Sequence, residues 1–174
     1  MRKNLLRFAI VLISIALLVT PAAAGHIWYS NVTFTIGSLI TQGTLTGLSN
    51  TDVTVTLIGT AVPVVMCTNQ GGNQAPGQNP PHLQSSAQQN LNHNNYTKNG
   101  TSPFGVETPN PDGSNLTATQ LGCPNDNWTA QVVSVTWTNA TINVNATLTG
   151  ALLASQNYVC VQQTPTTISC TLTN

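Results

Sequence analysis

The chain has 174 residues, of which 40% are hydrophobic and only 5% charged, about a fifth of the roughly 25% usual in soluble domains. That length and apolar fraction fit one domain with its own core. Three of the four basic residues, Arg2, Lys3 and Arg7, lie in the first seven positions; beyond them Lys98 alone stands against Asp52, Glu107, Asp112 and Asp126, a balance of 1 − 4 = −3. With no basic patch, electrostatic binding of nucleic acid is excluded.

In chain order, the first element is an address. The basic start is followed by an apolar run, Phe8 to Val19, broken only by Ser14, and then by Thr20-Pro21 and the small residues Ala22-Ala23-Ala24-Gly25. This is the order of a secretory signal peptide. A run of twelve residues reaches about 18 Å as a helix, too short for a hydrocarbon core of roughly 30 Å. Residues 1–24 are therefore expected to be removed. Residues 25–174 are expected to form a single exported domain, secreted or extracellular, with no membrane span.

Most of the mature chain alternates Val, Ile and Leu with Thr, Asn and Ser, the period-two pattern of half-buried antiparallel strands. Trp28 and Tyr29 open it on opposite faces of a strand, one expected in the core and the other exposed. Strands are then expected at Val32–Ile36, Thr44–Leu48, Asp52–Leu57 and Val62–Cys67. From Thr68 to Pro103 the chain is nearly all Asn, Gln, Gly, Pro and Ser. It reads as a long polar loop, either facing a ligand or acting as a mobile tether pinned at Cys67.

Further strands follow at Phe104–Thr108, Leu116–Gln120, Trp128–Thr138, Thr141–Leu148, Ser155–Gln163 and Thr167–Thr173. Within Trp128–Thr138 the apolar phase changes from Trp128, Ala130 and Val132 to Val133, Val135 and Trp137. A bulge at Val132-Val133 would keep both sets inward. In Thr141–Leu148, Ile142, Val144, Ala146 and Leu148 are expected to share the inner face. Seven to nine short strands separated by Gly, Pro and Asn predict an all-β, antiparallel two-sheet sandwich, immunoglobulin-like in broad architecture, with a small β-barrel as the alternative.

All four cysteines fall in the mature part, and an even count in an exported chain implies two disulfides. Four cysteines allow three pairings; Cys160–Cys170 with Cys67–Cys123 is favoured. Cys160 and Cys170 are equidistant from Pro165, so a hairpin turning there sets them opposite each other. A zinc site would require close C-x-x-C pairs, which do not occur.

Two motifs stand out: Gly72-Asn73-Gln74-Ala75-Pro76-Gly77-Gln78-Asn79-Pro80-Pro81 after Cys67, and Gly122-Cys123-Pro124-Asn125-Asp126-Asn127-Trp128-Thr129 before an alternating strand. With the short signal peptide they resemble those of a group of small exported all-β proteins of filamentous, spore-forming soil bacteria. The resemblance covers roughly Gly43 to Thr149. It implies an all-β fold and the Cys67–Cys123 pair. It brings no established activity, so no catalytic residue carries over.

Seven Asn-x-Ser/Thr sequons occur, at Asn31, Asn95, Asn99, Asn115, Asn127, Asn139 and Asn145. The mature chain holds 19 Asn, and 36 of its 150 residues are Ser or Thr, so chance alone gives about 4.6. Asn31, Asn139 and Asn145, beside outward-facing threonines, are the candidate glycosylation sites. His26 is the remote metal candidate. Cleavage after Gly25 would expose its amine and imidazole, and His82 or His93 would complete a three-nitrogen copper site. Such a site resembles that of lytic polysaccharide monooxygenases.

Hydrolytic groupings are missing. Asp112 belongs to the turn Asn110-Pro111-Asp112-Gly113, Glu107 is the only glutamate, and there is no G-x-S-x-G elbow. The chain is thus expected to be no enzyme and to need no cofactor. The leading expectation is an exported structural or adhesive protein of the cell surface or extracellular matrix, whose partners are a wall or matrix polysaccharide or further copies of itself. The alternative is a carbohydrate-binding module using Trp28 and Tyr29 as stacking residues.

Overall fold

A computed structural model describes residues 26–36, 38–164 and 166–173. The expected signal peptide, residues 1–24, and Pro165, where the sequence leads one to expect the hairpin to turn, lie outside the described residues. The strands in chain order are β1 (Trp28–Thr35), β2 (Leu39–Thr46), β3 (Val53–Thr68), β4 (Gln74–Pro76), β5 (Leu83–Leu91), β6 (Ser102–Thr108), β7 (Thr129–Ala146), β8 (Leu152–Thr164) and β9 (Thr167–Thr173). A short 3-10 turn, His93–Asn95, is the one helical element among the described residues.

Two antiparallel sheets face each other. One runs β1-β2-β6; the other runs β4-β3-β7-β8-β9, with β5 also paired to β3. The sheets do not close on themselves, so the chain is a two-sheet sandwich rather than a barrel.

β3 and β7 form the spine. The inward positions of β3 (Val53, Val55, Leu57, Ala61) and of β7 (Trp137, Ala140, Ile142, Val144) are buried against Leu39 and Leu45 of β2 and Phe104 and Val106 of β6. Thr54, Thr56, Thr141 and Asn143 take the outward positions of the central ladder, which satisfies water without charge; Val62 and Val64 are apolar exceptions further along β3.

One glycine in this spine has no substitute. A Cβ at Gly59 would lie 2.4 Å from Trp137 Cζ3 and 2.8 Å from Leu39 Cδ2. The indole of Trp137 therefore sits directly on the Gly59 backbone.

The bulge read from the phase change is present. Val64 pairs with Ser134 and Val65 with Val132, which leaves Val133 as the extra residue; as the unpaired bulge residue it points outward, 52% exposed, against the expectation that it would face inward with Val135 and Trp137. A second bulge, not foreseen, skips Thr138 between the pairs Thr60↔Asn139 and Ala61↔Trp137. It brings Trp137 into phase with Ala140, Ile142 and Val144.

Three further sequence expectations are corrected. Leu148 does not share the inner face; it is 94% exposed, because β7 ends at Ala146 and the chain turns through Thr147–Gly150, where Gly150 takes φ +70°. Leu116–Gln120 forms turns instead of a strand. The Asn-Gln-Pro segment 68–103 is neither a loop throughout nor a tether. It holds β4, β5 and the start of β6, and β5 pairs with β3 at nine positions from Val53↔Leu91 to Ala61↔Leu83. Only Leu83 and Leu91 of β5 are buried. Main-chain bonding to the spine holds this strand, and apolar composition does not report main-chain bonding.

Beyond the three-stranded sheet, β3 and β7 continue together. There their inner face carries a second apolar cluster of Val65, Cys67, Leu83, Leu121 and Cys123, with Trp128, Ala130 and Val132 against it. The segment 109–128 covers this end of the ladder in place of a second sheet.

Candidate functional site

The disulfides are Cys67–Cys123 and Cys160–Cys170, as favoured from spacing. They fit an oxidising environment. Cys160 and Cys170 are direct partners in the β8–β9 ladder. Cys67–Cys123 ties the end of β3 to the covering segment.

The two sequence motifs meet beside that bridge. The Gln78 N–H donates to the Gly122 carbonyl at 2.8 Å, and the Gly77 N–H donates to the Val65 carbonyl at 2.8 Å. A side chain at Gly122 would strike the Gln78 backbone at 2.2 Å. A Cβ at Gly77 would likewise meet the Leu121 carbonyl at 2.8 Å, so backbone packing requires Gly77 and Gly122, and the two motifs form one stapled unit. A ligand loop is not needed to explain it.

The stacking candidates separate as anticipated for an alternating strand. Trp28 is 62% exposed. Tyr29 is half-buried against the core, and its hydroxyl donates to the Ile142 carbonyl at 3.3 Å. Burial, with Tyr158 adding to it, holds the Tyr29 phenol far above its ordinary range. Trp137 is wholly buried and Trp128 half-buried. Trp28 meets the His26 ring edge-on at 4.3 Å. The two rings, with Ser155 and Gln156 of β8, line an open cleft of about 390 Å³.

The histidines do not converge. His26 lines the Trp28 cleft. His82 lines a separate cleft of about 600 Å³ between Pro81–Ser85 and Pro109–Leu116, which also holds Asp112. His93 is engaged by Asp52, with its backbone N–H at 2.8 Å and its ring Nδ1 at 2.7 Å from Asp52 Oδ1. Among the described residues no group of three His, Cys, Asp or Glu is assembled. The second histidine that a copper site at His26 requires is not supplied by these neighbours.

The sequon asparagines differ. Asn31 is exposed at the bulge of β1, with φ +53°. Asn139 is exposed on the outer face of β7. Asn145 is half-buried, and its Nδ2, the atom a glycan would occupy, donates to the Gly150 carbonyl at 3.0 Å.

The acids act as local clasps. Asp52 is held below the ordinary carboxylate range by the His93 backbone N–H first and the His93 ring second. Asp112 is lowered by the Ser114 backbone N–H. Asp126 is lowered by Thr119. A folded-state value below the unfolded one, about 3.9, gives a contribution that is full above that pH and fades as pH falls through the folded value. The denaturation midpoint is therefore expected to hold from neutrality to about pH 5 and to drop below about pH 4. Asp52→Asn should flatten the drop; an unchanged acid slope in that variant would contradict the clasp.

The larger of the two sheets, with six strands, presents an outer face of its own. No strand of that sheet carries a charged residue. Its outward side chains bond to each other across strands: Thr54 donates to Asn90 at 2.8 Å, Thr141 to Asn157 at 2.8 Å, and Ser155 to Asn143 at 2.7 Å. Sequence reading caught the Thr/Asn alternation but not that β5 joins the same face. No helix among the described residues is long and apolar enough to cross a membrane.

Compared with protein-family models, with curated proteins and with solved structures, the chain matches none. The functional reading therefore rests on the surfaces above.

Proposed function

We propose that the protein is an exported, non-enzymatic structural or adhesive component of the cell surface or extracellular matrix. The uncharged outer face of the six-stranded sheet carries this reading. Such a face has no electrostatic repulsion to keep other surfaces away, and it presents hydroxyls and amides in cross-strand rows. The two disulfides support it, since they suit a small domain that must persist outside the cell. The test is sedimentation of the mature protein, alone over a range of concentration and with isolated cell wall, peptidoglycan, chitin and cellulose. Self-association or co-sedimentation is the expected result; a monomer at every concentration that stays in every supernatant would refute it.

A second reading, a carbohydrate-binding module, is favoured by one observation: exposed Trp28 with His26 on one side of a cleft and polar Ser155 and Gln156 on the other. A sugar ring stacked on that indole would find hydrogen-bonding partners beside it. Trp28→Ala should then weaken binding of a soluble oligosaccharide by roughly tenfold. The change in tryptophan fluorescence on titration should also vanish, because Trp137 is buried in the core and Trp128 packs on the second cluster, both outside this cleft. An unaltered titration would remove Trp28 from the site.

A further inference from the structure

The far half of β7 has an open edge. β8 pairs with β7 only from Asn139 to Asn145. From Thr129 to Thr138 the strand has β3 on one side, and among the described residues no strand on the other. Past Val159 the β8–β9 hairpin continues on its own ladder, with Cys160 bonded to Cys170. An unpaired edge offers a row of backbone donors and acceptors to any extended chain.

A second observation falls in the same place. Val62 and Val64 of β3, Val133 at the β7 bulge, and Val159 of β8 are four of the nine large hydrophobic residues exposed among the described residues. Val62 is registered to Thr136, Val64 to Ser134 and Val159 to Asn139, so they flank the open edge. Val133 is 52% exposed and Val64 50%. Exposed apolar side chains gathered about an unpaired edge mark an interaction surface.

We infer that this edge of β7 pairs with the same edge of a second copy of the chain, antiparallel across a two-fold axis. Self-pairing is favoured by charge. No residue after Asp126 is charged, so identical edges brought face to face oppose no like charges. A closed pair is favoured by direction. The opposite edge of the sheet is guarded by Pro63, Pro76, Pro80 and Pro81. There β5 is also tied to β6 through the Gly105 N–H to Gln89 at 2.9 Å and the Thr108 hydroxyl to Ser85 at 2.6 Å. The free edge of β9 faces the same way as that of β7. Edges that face one way meet by rotation, not translation, which gives a dimer and not a filament. The bulge at Val133 splits the edge into two short runs, so a weak, reversible pair is expected.

This deepens the structural reading by naming one partner. The test is sedimentation velocity of the mature protein from low micromolar to submillimolar concentration. A monomer–dimer equilibrium is expected. Val133→Lys should weaken it roughly fivefold or more, and Gln88→Lys, on the outer face of β5, should leave it unchanged. Thr136→Lys serves the same purpose if Val133→Lys does not fold, as judged by cooperative denaturation. Amide exchange over Thr129–Thr138 should slow at high concentration only. A monomer throughout, or a dimer indifferent to both lysines, overturns the inference. A monomer that still co-sediments with wall polymer leaves the structural reading standing; a monomer that binds nothing removes both.

Discussion

Replacing Cys67 and Cys123 together by alanine is expected to cost about 4 kcal/mol of stability, from the loop entropy of cross-linking residues 56 apart. For a domain of this size that corresponds to a fall in melting temperature of roughly 8–16 °C. The bridge does more than close a loop. It holds the covering segment, with Leu121, over Val65 and Leu83, which have no second sheet above them. The loss should therefore concentrate at that end, with amides near Leu121 and Trp128 exchanging first. The Cys160–Cys170 bridge closes only ten residues in a hairpin that is already paired, and the same relation gives at most about 3 kcal/mol. Urea denaturation of the two double-alanine variants checks the order. A larger loss from the hairpin pair would contradict the role given to the covering segment.

Trp137→Ala is expected to cost about 3–5 kcal/mol, as for other large aromatics removed from a core. Trp137 is among the largest wholly buried side chains and joins β7 to β3 and β2 at the middle of the sandwich. Its neighbour sharpens the prediction. Gly59→Ala alone should cost about 1–3 kcal/mol, because the new methyl meets the indole. In the Trp137→Ala background that cost should fall by about half or more, since the indole clash at 2.4 Å is gone and the Leu39 side chain, at 2.8 Å, has vacated space to move into. A double-mutant cycle by chemical denaturation measures the coupling. Strict additivity would mean that the indole does not rest on the Gly59 backbone.

The sequence made the spine legible because its strands alternate strongly. Val53, Val55 and Leu57 share one face, and so do Ile142, Val144 and Ala146, as their spacing implied; the structure registers the two rows against each other. The Val133 bulge was legible because two apolar phases collide there. The Thr138 bulge was not, since Thr138 and Asn139 separate Trp137 from Ala140 and blur the phase. β5 was missed because Ser85, Ala87 and Gln89 give no apolar signal; their place beside β6 is fixed by main-chain pairing and by polar bonds that exist only after folding. Leu148 was misplaced because Ala-Thr-Leu-Thr continues the alternation past the point where the chain turns. Of the candidate sites, the disulfide pairs and the split between Trp28 and Tyr29 followed from spacing. The Asp52–His93 clasp and the meeting of the two glycine motifs join residues far apart in sequence, and local patterns do not report such contacts.

The most direct test of the account is the intact mass of the protein recovered from the surface wash and medium of producing cells, before and after reduction. The account predicts a chain that has lost its first 24 residues, found outside the cytosol, and four hydrogens heavier once both disulfides are reduced. An unprocessed chain with four free thiols, found inside the cell, would contradict it.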